Sequence, residues 1–159
     1  MSGAVVANDR LPLIETVSVD DVDGVVATIS DCHQSETPVY PIGGGTSLGF
    51  GLPPKRDGVG LSLADMNNIV DFPARDLTIT VEAGLTMQAL TDTLAEENLC
   101  LPIDVPLAEA ATLGGVIATN FNGPRRYGQG TVRDSVIGIT AADGRGKPFH
   151  GGGRVVKNV

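Results

Sequence analysis

The spacing of apolar residues predicts an amphipathic helix between residues 20 and 34. Apolar side chains recur three and four positions apart, which places them on one helical face: Val22, Val25, Val26 and Ile29. Asp20 precedes this stretch and is the predicted N-cap, followed by acidic residues in the first turn. Because Thr37-Pro38 disfavours further helix, we expect the helix to end near Gln34.

Alternation of apolar and polar residues predicts several short strands. After an extended lead-in over residues 1–19, strands are expected over residues 38–42, 59–63, 69–72 and 77–81. Thr86 is predicted to cap a second helix that runs to about Asn98, with Leu90 and Leu94 facing inward. Helices and strands alternate along this part of the chain, which indicates an α+β or α/β fold.

The remaining pattern predicts a loop, a short helix and a hairpin. Prolines at both ends exclude a helix over residues 101–106. A short helix then follows, with Thr112 at or near its N terminus. Residues 132–139 are predicted to begin the last strand region. The chain then turns at residues 143–146, and Phe149 returns in the second arm of a hairpin.

Length, charge and cysteine content narrow the class of protein. The 159 residues suffice for one domain, and a net charge of −8 argues against nucleic acid or an anionic membrane as partner. No apolar run approaches the roughly 20 residues of a membrane span, and no signal peptide is recognisable at the N terminus. Cys32 and Cys100 lack metal-binding spacing and fit a reducing compartment. We therefore expect a soluble cytoplasmic protein without a metal site.

A glycine-rich stretch after the predicted strand 38–42 is the leading candidate for ligand binding. Residues 43–51 contain five glycines, with Thr46 and Ser47 among them. Such a loop points successive N–H groups into an anion-sized concavity. The P-loop pattern is excluded because no Lys lies between Gly43 and Pro54. The dinucleotide fingerprint fails as well, since Leu48 occupies its sixth position and no helix follows.

Other residues of chemical interest each leave two interpretations open. Gly114-Gly115 lies in the short predicted helix and serves either close helix packing or a ligand that passes over the backbone. Arg125-Arg126 either pairs with a pyrophosphate or carboxylate or is a pair of solvated loop charges. His33 is interpreted as solvated, and His150 as a loop residue without an identifiable partner.

Taken in order, these motifs resemble the FAD-binding domain of the vanillyl-alcohol oxidase/p-cresol methylhydroxylase (PCMH-type) flavoprotein family. The resemblance covers roughly residues 15–159. Its segments are Gly43–Ser47, Thr80–Gly84, Pro106, Thr112–Gly115, Ala118–Asn120, Gly123 and Thr131–Asp134. A narrower resemblance to the FAD-binding subunit of glycolate oxidase, a relative of the D-lactate dehydrogenases, is carried by Gly123–Arg126 and Gly153–Val159.

The resemblance implies an α+β PCMH-type fold with two α/β subdomains, about residues 15–84 and 85–159, the second incomplete. It implies FAD, held with its pyrophosphate on the first loop and against the Gly-Gly helix. FAD is expected to be non-covalent, because Thr46 occupies the place where some relatives carry a linking His. The implied binding residues are Ile42, Gly43, Gly44, Gly45, Thr46, Ser47, Leu48, Pro106, Thr112, Gly114, Gly115, Asn120, Gly123, Gly130 and Thr131.

The sequence departs from the family in two ways. Gln129-Gly130 occupies the place where the family usually has Tyr-Gly, directly before Thr-x-Arg-Asp. Family members also continue into a substrate domain, so we expect this chain to be truncated, with Val155-Val156 beginning another buried element.

Three functions remain open at this point. One is an FAD-linked oxidoreductase component that acts on a small 2-hydroxy acid such as glycolate or D-lactate, with other oxidase subunits as partners. Another is a non-catalytic FAD-binding subunit, and the third is a nucleotide-binding protein unrelated to flavin. No residue is a convincing general base, so no catalytic residue is assigned and the isolated chain is expected to be inactive.

Overall fold

A computed structural model describes residues 11–154 of the chain. The helices and strands, in order, are β1 Leu13–Ser18, α1 Val22–Gln34, β2 Val39–Ile42, β3 Gly58–Ser62, β4 Ile69–Asp71, β5 Thr80–Val81, α2 Met87–Glu96, α3 Leu113–Ala118, α4 Arg126–Gln129, α5 Val132–Ser135, β6 Gly138–Ala142 and β7 Pro148–Gly152. A 3-10 turn occupies Ala74–Asp76. This mixture of helices with small sheets confirms the α+β class. The predicted element at Val155-Val156 lies outside the described residues.

A parallel sheet organises the first part of the chain. Its three strands are ordered β1-β3-β2, so that β3 is central and is buried along most of its length. The β1–α1–β2 unit places α1 between two parallel strands, and the glycine-rich loop leaves the sheet at the end of β2. The glycine-rich loop is therefore held at the carboxyl edge of a parallel sheet, where ligands commonly bind in α/β folds.

Helix α1 begins one residue later than the sequence predicts. Asp21, not Asp20, is the N-cap, and its carboxylate accepts the Gly24 N–H at 2.7 Å. Val22 is 45% exposed and does not join the buried face, whereas Val25 and Ile29 pack against the core of Val19, Leu61 and Met66. The predicted end at Gln34 is confirmed.

The two antiparallel sheets differ in how well their strands were predicted. Strand β5 covers only Thr80–Val81, because the predicted strand 77–81 begins with a left-handed Leu77 (φ 55°) that ends the preceding 3-10 turn. The hairpin of β6 and β7 confirms the predicted turn, with Ala141 paired to Phe149. The prediction that a strand begins at Val132 is wrong, since residues 132–135 form α5.

A second hydrophobic core lies around α2 and α3. Its buried members are Leu85, Met87, Leu90, Leu94, Ala111, Val116 and Val132. Phe72, Ile79 and Val81 from the β4–β5 region also pack against it. The subdomain boundary near residue 84, drawn from the resemblance, stays a prediction. None of the described helices combines the length and apolarity needed to cross a membrane.

Candidate functional site

The glycine-rich loop after β2 contains backbone N–H groups that donate to no other described residue. Within the described chain, the amide N–H groups of Gly43, Gly44, Gly45, Thr46 and Ser47 donate no hydrogen bond. The start of the loop is anchored, since the Ile42 carbonyl oxygen accepts the Leu63 N–H at 2.9 Å, and the Phe50 N–H closes a turn within the loop by donating to the Ser47 carbonyl oxygen at 3.1 Å. Unpaired N–H groups on an anchored loop suit an anionic ligand.

Two glycines of this loop are needed for contact with the protein itself. A Cβ at Gly44 would overlap the Ala110 carbonyl oxygen, and one at Gly43 would overlap the Thr112 hydroxyl oxygen. The loop therefore lies directly against residues 110–112, which lead into α3. Close approach between two backbone segments explains these glycines without any ligand.

The two glycines of α3 have different surroundings. A Cβ at Gly114 would lie 2.8 Å from the carbonyl oxygen of Ala83 and 2.9 Å from its Cβ, so this glycine serves packing. At Gly115, apart from the backbone of α3 itself, the Thr112 hydroxyl oxygen at 3.3 Å is the only atom of the described residues near an added Cβ. Both interpretations left open for this pair therefore have support, one at each residue.

The N terminus of α3 is largely occupied by the protein. Thr112 is buried and is the N-cap, as predicted; its hydroxyl accepts the Gly115 N–H at 3.3 Å. The Leu113 N–H donates to the Leu85 carbonyl oxygen at 2.9 Å, and the Gly114 N–H donates to the Ala83 carbonyl oxygen at 2.8 Å. The unpaired donors of this region thus belong to the glycine-rich loop more than to the helix.

A cleft of about 210 Å³ lies between the glycine-rich loop, the segment 105–111 and α3. Four predicted binding residues line it, namely Thr46, Ser47, Pro106 and Gly115. The remaining lining residues are Phe50, Val105, Leu107, Ala111, Val116, Thr119 and Phe121, which sequence reasoning did not select. Phe50 could have been selected from the sequence, because it is an aromatic residue within a glycine-rich stretch. The apolar lining residues between 105 and 121 could not, because their pattern is that of ordinary core residues.

The predicted binding residues beyond α3 lie in a segment that is held by hydrogen bonds of its own. Asn120 has a left-handed backbone (φ 47°), and Asn122 Nδ2 donates to its carbonyl oxygen at 2.6 Å. Asn122 Oδ1 in turn accepts the Val132 N–H at 3.0 Å. Gly130 has φ 83°, and Thr131 is the N-cap of α5. None of these residues is among those that line the cleft, so their role in ligand binding stays a prediction.

Arg125 forms a salt bridge with another residue of the protein. Its Nε lies 2.9 Å from Asp104 Oδ2, and Gly123 is close-packed on the same residue, since an added Cβ would lie 2.9 Å from the Asp104 carbonyl oxygen. These contacts fasten the 122–126 turn to the loop 101–106. Arg126 forms no salt bridge with another described residue. Arg125 thus matches neither interpretation, because its partner is a carboxylate of the protein itself, and for Arg126 both interpretations stay predictions.

None of the histidines and cysteines is among the residues that line this cleft. His33 is exposed, as predicted. His150 does have partners, contrary to the prediction: Nδ1 lies 3.1 Å from the Thr140 hydroxyl and Nε2 lies 3.0 Å from the Gly152 carbonyl oxygen. Burial raises the pKa of the Cys32 thiol, while Cys100 is exposed. No cluster of potential metal ligands occurs among residues 11–154.

The chain is similar to several curated proteins. It is 33% identical to a D-2-hydroxyglutarate dehydrogenase of Xanthomonas citri, over 86% of this chain and 29% of the relative. It is 33% identical to a D-lactate dehydrogenase of Archaeoglobus fulgidus, over 89% of this chain and 32% of the relative. With glycolate oxidase subunit GlcE of Escherichia coli it shares 30% identity, over 88% and 40%. The chain thus spans well under half the length of these relatives.

Solved structures share the fold. A variant of Phl p 4 described as a glucose dehydrogenase superposes with a TM-score of 0.76 over 91% of this chain and 30% of its own length, at 19% identity. An alkyldihydroxyacetonephosphate synthase gives a TM-score of 0.69 over 79% of this chain and 26% of its own length, at 23% identity.

Residues 15–152, which are most of the chain, match the sequence model of a protein family described as FAD binding domain (FAD_binding_4). This match confirms the resemblance drawn from the order of the motifs. The chain belongs to this family of FAD-binding domains.

Proposed function

We propose that this chain forms the FAD-binding part of a flavin-dependent oxidoreductase that acts on a small 2-hydroxy acid such as glycolate or D-lactate. The names of its relatives support this substrate class, because 2-hydroxyglutarate, lactate and glycolate all carry a hydroxyl group beside a carboxylate. The cytoplasmic location expected from the sequence stays a prediction.

The observation that carries the cofactor proposal is the set of N–H groups from Gly43 to Ser47 that donate to no other described residue, in a loop whose Thr46 and Ser47 line the same cleft as Gly115. A pyrophosphate carries two negative charges and needs converging donors. Backbone N–H groups supply them without lysine, which suits a chain with a net charge of −8. The hydroxyls of Thr46 and Ser47, which line the same cleft, add further donors.

The proposed binding residues are those implied by the resemblance, and they differ in their expected contribution. Thr46, Ser47, Pro106 and Gly115 line the cleft and are expected to contact the cofactor. Gly43, Gly44, Thr112 and Gly114 are expected to shape the site by close packing. The other proposed binding residues are Ile42, Gly45, Leu48, Asn120, Gly123, Gly130 and Thr131. When bound, FAD would supply the hydride-accepting group, and the chain supplies binding and orientation.

Titration of the purified chain with FAD, FMN and NAD, followed by flavin fluorescence and calorimetry, tests the proposal. FAD is expected to bind more tightly than FMN, because only FAD has a pyrophosphate to meet the unpaired N–H groups. NAD shares the pyrophosphate but has no flavin, so its titration shows how much of the affinity for FAD depends on the flavin. Equal or tighter binding of FMN would contradict the proposed site.

The flavin is proposed to be non-covalent. Some family members are expected to link flavin through a His at the position of Thr46, and threonine has no imidazole. Neither His33 nor His150 lies near a matching motif. Acid precipitation of the reconstituted protein should release all of the yellow colour into the supernatant. Colour that stays with the precipitate would contradict this assignment.

A second function is a non-catalytic FAD-binding subunit that needs a partner chain. It is favoured by the cleft itself, whose lining residues include no titratable side chain to act as a general base. We expect the FAD-loaded chain alone to show no glycolate- or D-lactate-dependent dye reduction above free flavin. Turnover by the isolated chain would contradict this expectation and place a catalytic base outside the cleft lining.

A further inference from the structure

Two large apolar side chains line the cleft and are nonetheless largely exposed. Phe50 is 63% exposed and Leu107 is 69% exposed. Leaving such surface in water is unfavourable by about 25 cal/mol for each Å². Phe50 belongs to the same loop as the unpaired N–H groups, since its own N–H closes a turn on the Ser47 carbonyl oxygen. Apolar and donor surfaces therefore adjoin in one cleft.

Leu107 is held in a conformation that a leucine rarely adopts. Its φ is 55°, in the left-handed region where a Cβ is disfavoured by roughly 1–2 kcal/mol. Its carbonyl oxygen accepts the N–H groups of Ala110 at 2.9 Å and of Ala111 at 2.7 Å, which fixes the residue in place. Backbone strain of this kind concentrates at ligand-binding sites.

The size of the cleft indicates how much of a ligand it holds. At about 210 Å³ it is smaller than the roughly 300–1,000 Å³ of complete small-molecule sites. It therefore suits one part of a dinucleotide, bound where an anionic group meets a flat apolar one. The adjoining apolar lining, from Val105 and Phe121, continues the surface of Phe50 and Leu107.

We propose that Phe50 and Leu107 hold one planar heteroaromatic ring of the cofactor, next to the phosphates bound by the Gly43–Ser47 loop. The inference rests on the proposed binding of FAD and adds the residues that position its ring. FAD contains two such rings, adenine and isoalloxazine. Their shared chemistry, a flat π-face with an apolar surface, is what a phenyl ring and a leucine side chain recognise.

The test compares Phe50→Ala with Leu52→Ala. Leu52 directly follows the same loop, is 90% exposed and does not line the cleft, so it controls for loss of apolar surface. Phe50→Ala is expected to weaken FAD binding roughly tenfold, as loss of a stacking contact does, and Leu52→Ala by less than about twofold. Calorimetric titrations with ADP and FMN identify the ring: weakened ADP binding assigns adenine, and weakened FMN binding assigns isoalloxazine.

Several results would overturn the inference. They are an unchanged FAD affinity of Phe50→Ala, an equal loss in Leu52→Ala, or weakened FAD binding with both ADP and FMN unaffected. Failure of the unaltered chain to bind FAD would instead overturn the proposed function on which the inference rests.

Leu107→Gly provides a second, independent variant. Glycine tolerates the positive φ, so this change relieves strain while it removes the side chain. The variant is expected to melt no lower than the unaltered chain and to bind FAD at least about threefold more weakly. An unchanged affinity in the folded variant would remove Leu107 from the ring site.

Discussion

Gly114 and Gly115 are neighbours on α3, yet their missing side chains face different surroundings. The space beside Gly114 is filled by Ala83, whereas that beside Gly115 contains only the Thr112 hydroxyl. Because Gly115 also lines the cleft, its lack of a side chain leaves room for a ligand. At the scale of single residues, adjacent positions of the same type thus differ, since Gly114 is close-packed against the protein and Gly115 is proposed to contact the cofactor.

Substituting each glycine in turn tests this division. Gly115→Val is expected to abolish FAD binding and to cost less than about 1 kcal/mol of unfolding free energy, because the helix-propensity penalty of valine is small relative to that of glycine. Gly114→Ala is expected to lower the unfolding free energy by roughly 1–3 kcal/mol, since the backbone of Ala83 must move.

Urea denaturation of both apo-proteins and FAD titration of both variants supply the measurements. Each variant is the matched control of the other. If Gly115→Val unfolds the apo-protein while FAD still binds the folded fraction normally, Gly115 serves packing too and the binding role assigned to it is wrong.

Among the elements, α5 shows how a local cap decides between helix and strand. The apolar residues from Val132 onward suit a strand, but Asp134 accepts the Thr131 N–H at 2.7 Å and its hydroxyl at 2.9 Å. This capping box begins a helix, and Val132 is buried against the second core. The backbone N–H and the hydroxyl of Thr131 hold the pKa of the Asp134 carboxyl below its ordinary value.

The direction of this pKa shift sets the pH range of the cap. Because the pKa of Asp134 is lower in the folded state, its stabilisation is present above the ordinary carboxyl pKa of about 4 and is lost as pH falls through the folded pKa. Asp134→Asn should therefore lower the melting temperature at pH 7 and lower it by less at pH 3.

Thermal unfolding followed by circular dichroism at both pH values measures this effect. Asp65→Asn is the control, because the Asp65 side chain accepts no hydrogen bond from another described residue. An Asp134→Asn variant with the same loss of melting temperature at pH 3 as at pH 7 would contradict the assignment.

At the scale of the whole molecule, the last hairpin fastens onto the first elements of the chain. Gly146 lies in its turn, is buried against α1, and has φ 80°; a Cβ there would overlap the Ser30 hydroxyl oxygen. At the other end, Arg154 contacts Asp71 Oδ2 at 2.6 Å and the Thr80 hydroxyl at 2.8 Å. The β6–β7 hairpin therefore links α1 to the β4–β5 sheet.

Gly146→Ala is expected to destabilise the chain by about 2 kcal/mol or more. The change forces a left-handed backbone on alanine and pushes the turn away from α1. Gly144→Ala in the same turn is the control, since no atom lies within 4 Å of an added Cβ there. Chemical denaturation of both variants makes the comparison, and equal stabilities would show that the turn does not depend on its contact with α1.

The sequence by itself determined the features that depend on neighbours along the chain. The caps at Thr86 and Thr112, the strand β3 and the turn before β7 were all predictable, because each requires only a few consecutive residues. The glycine-rich loop was also identifiable, since its pattern excludes both helix and ordinary strand. The order of these motifs was sufficient to indicate the family, which the family match confirms.

Only the tertiary structure decided which partner each residue meets. The sequence left open whether Arg125 binds a ligand or faces solvent, and the fold pairs it with Asp104, 21 positions away. It likewise could not show that Gly44 faces Ala110 or that Phe50 and Leu107 line one cleft. These features depend on segments that are distant in sequence and that only the folded chain brings together. Local propensity contains no information about such contacts, so the sequence identified the glycine-rich loop and four of the residues that line the cleft but not the geometry of the cleft.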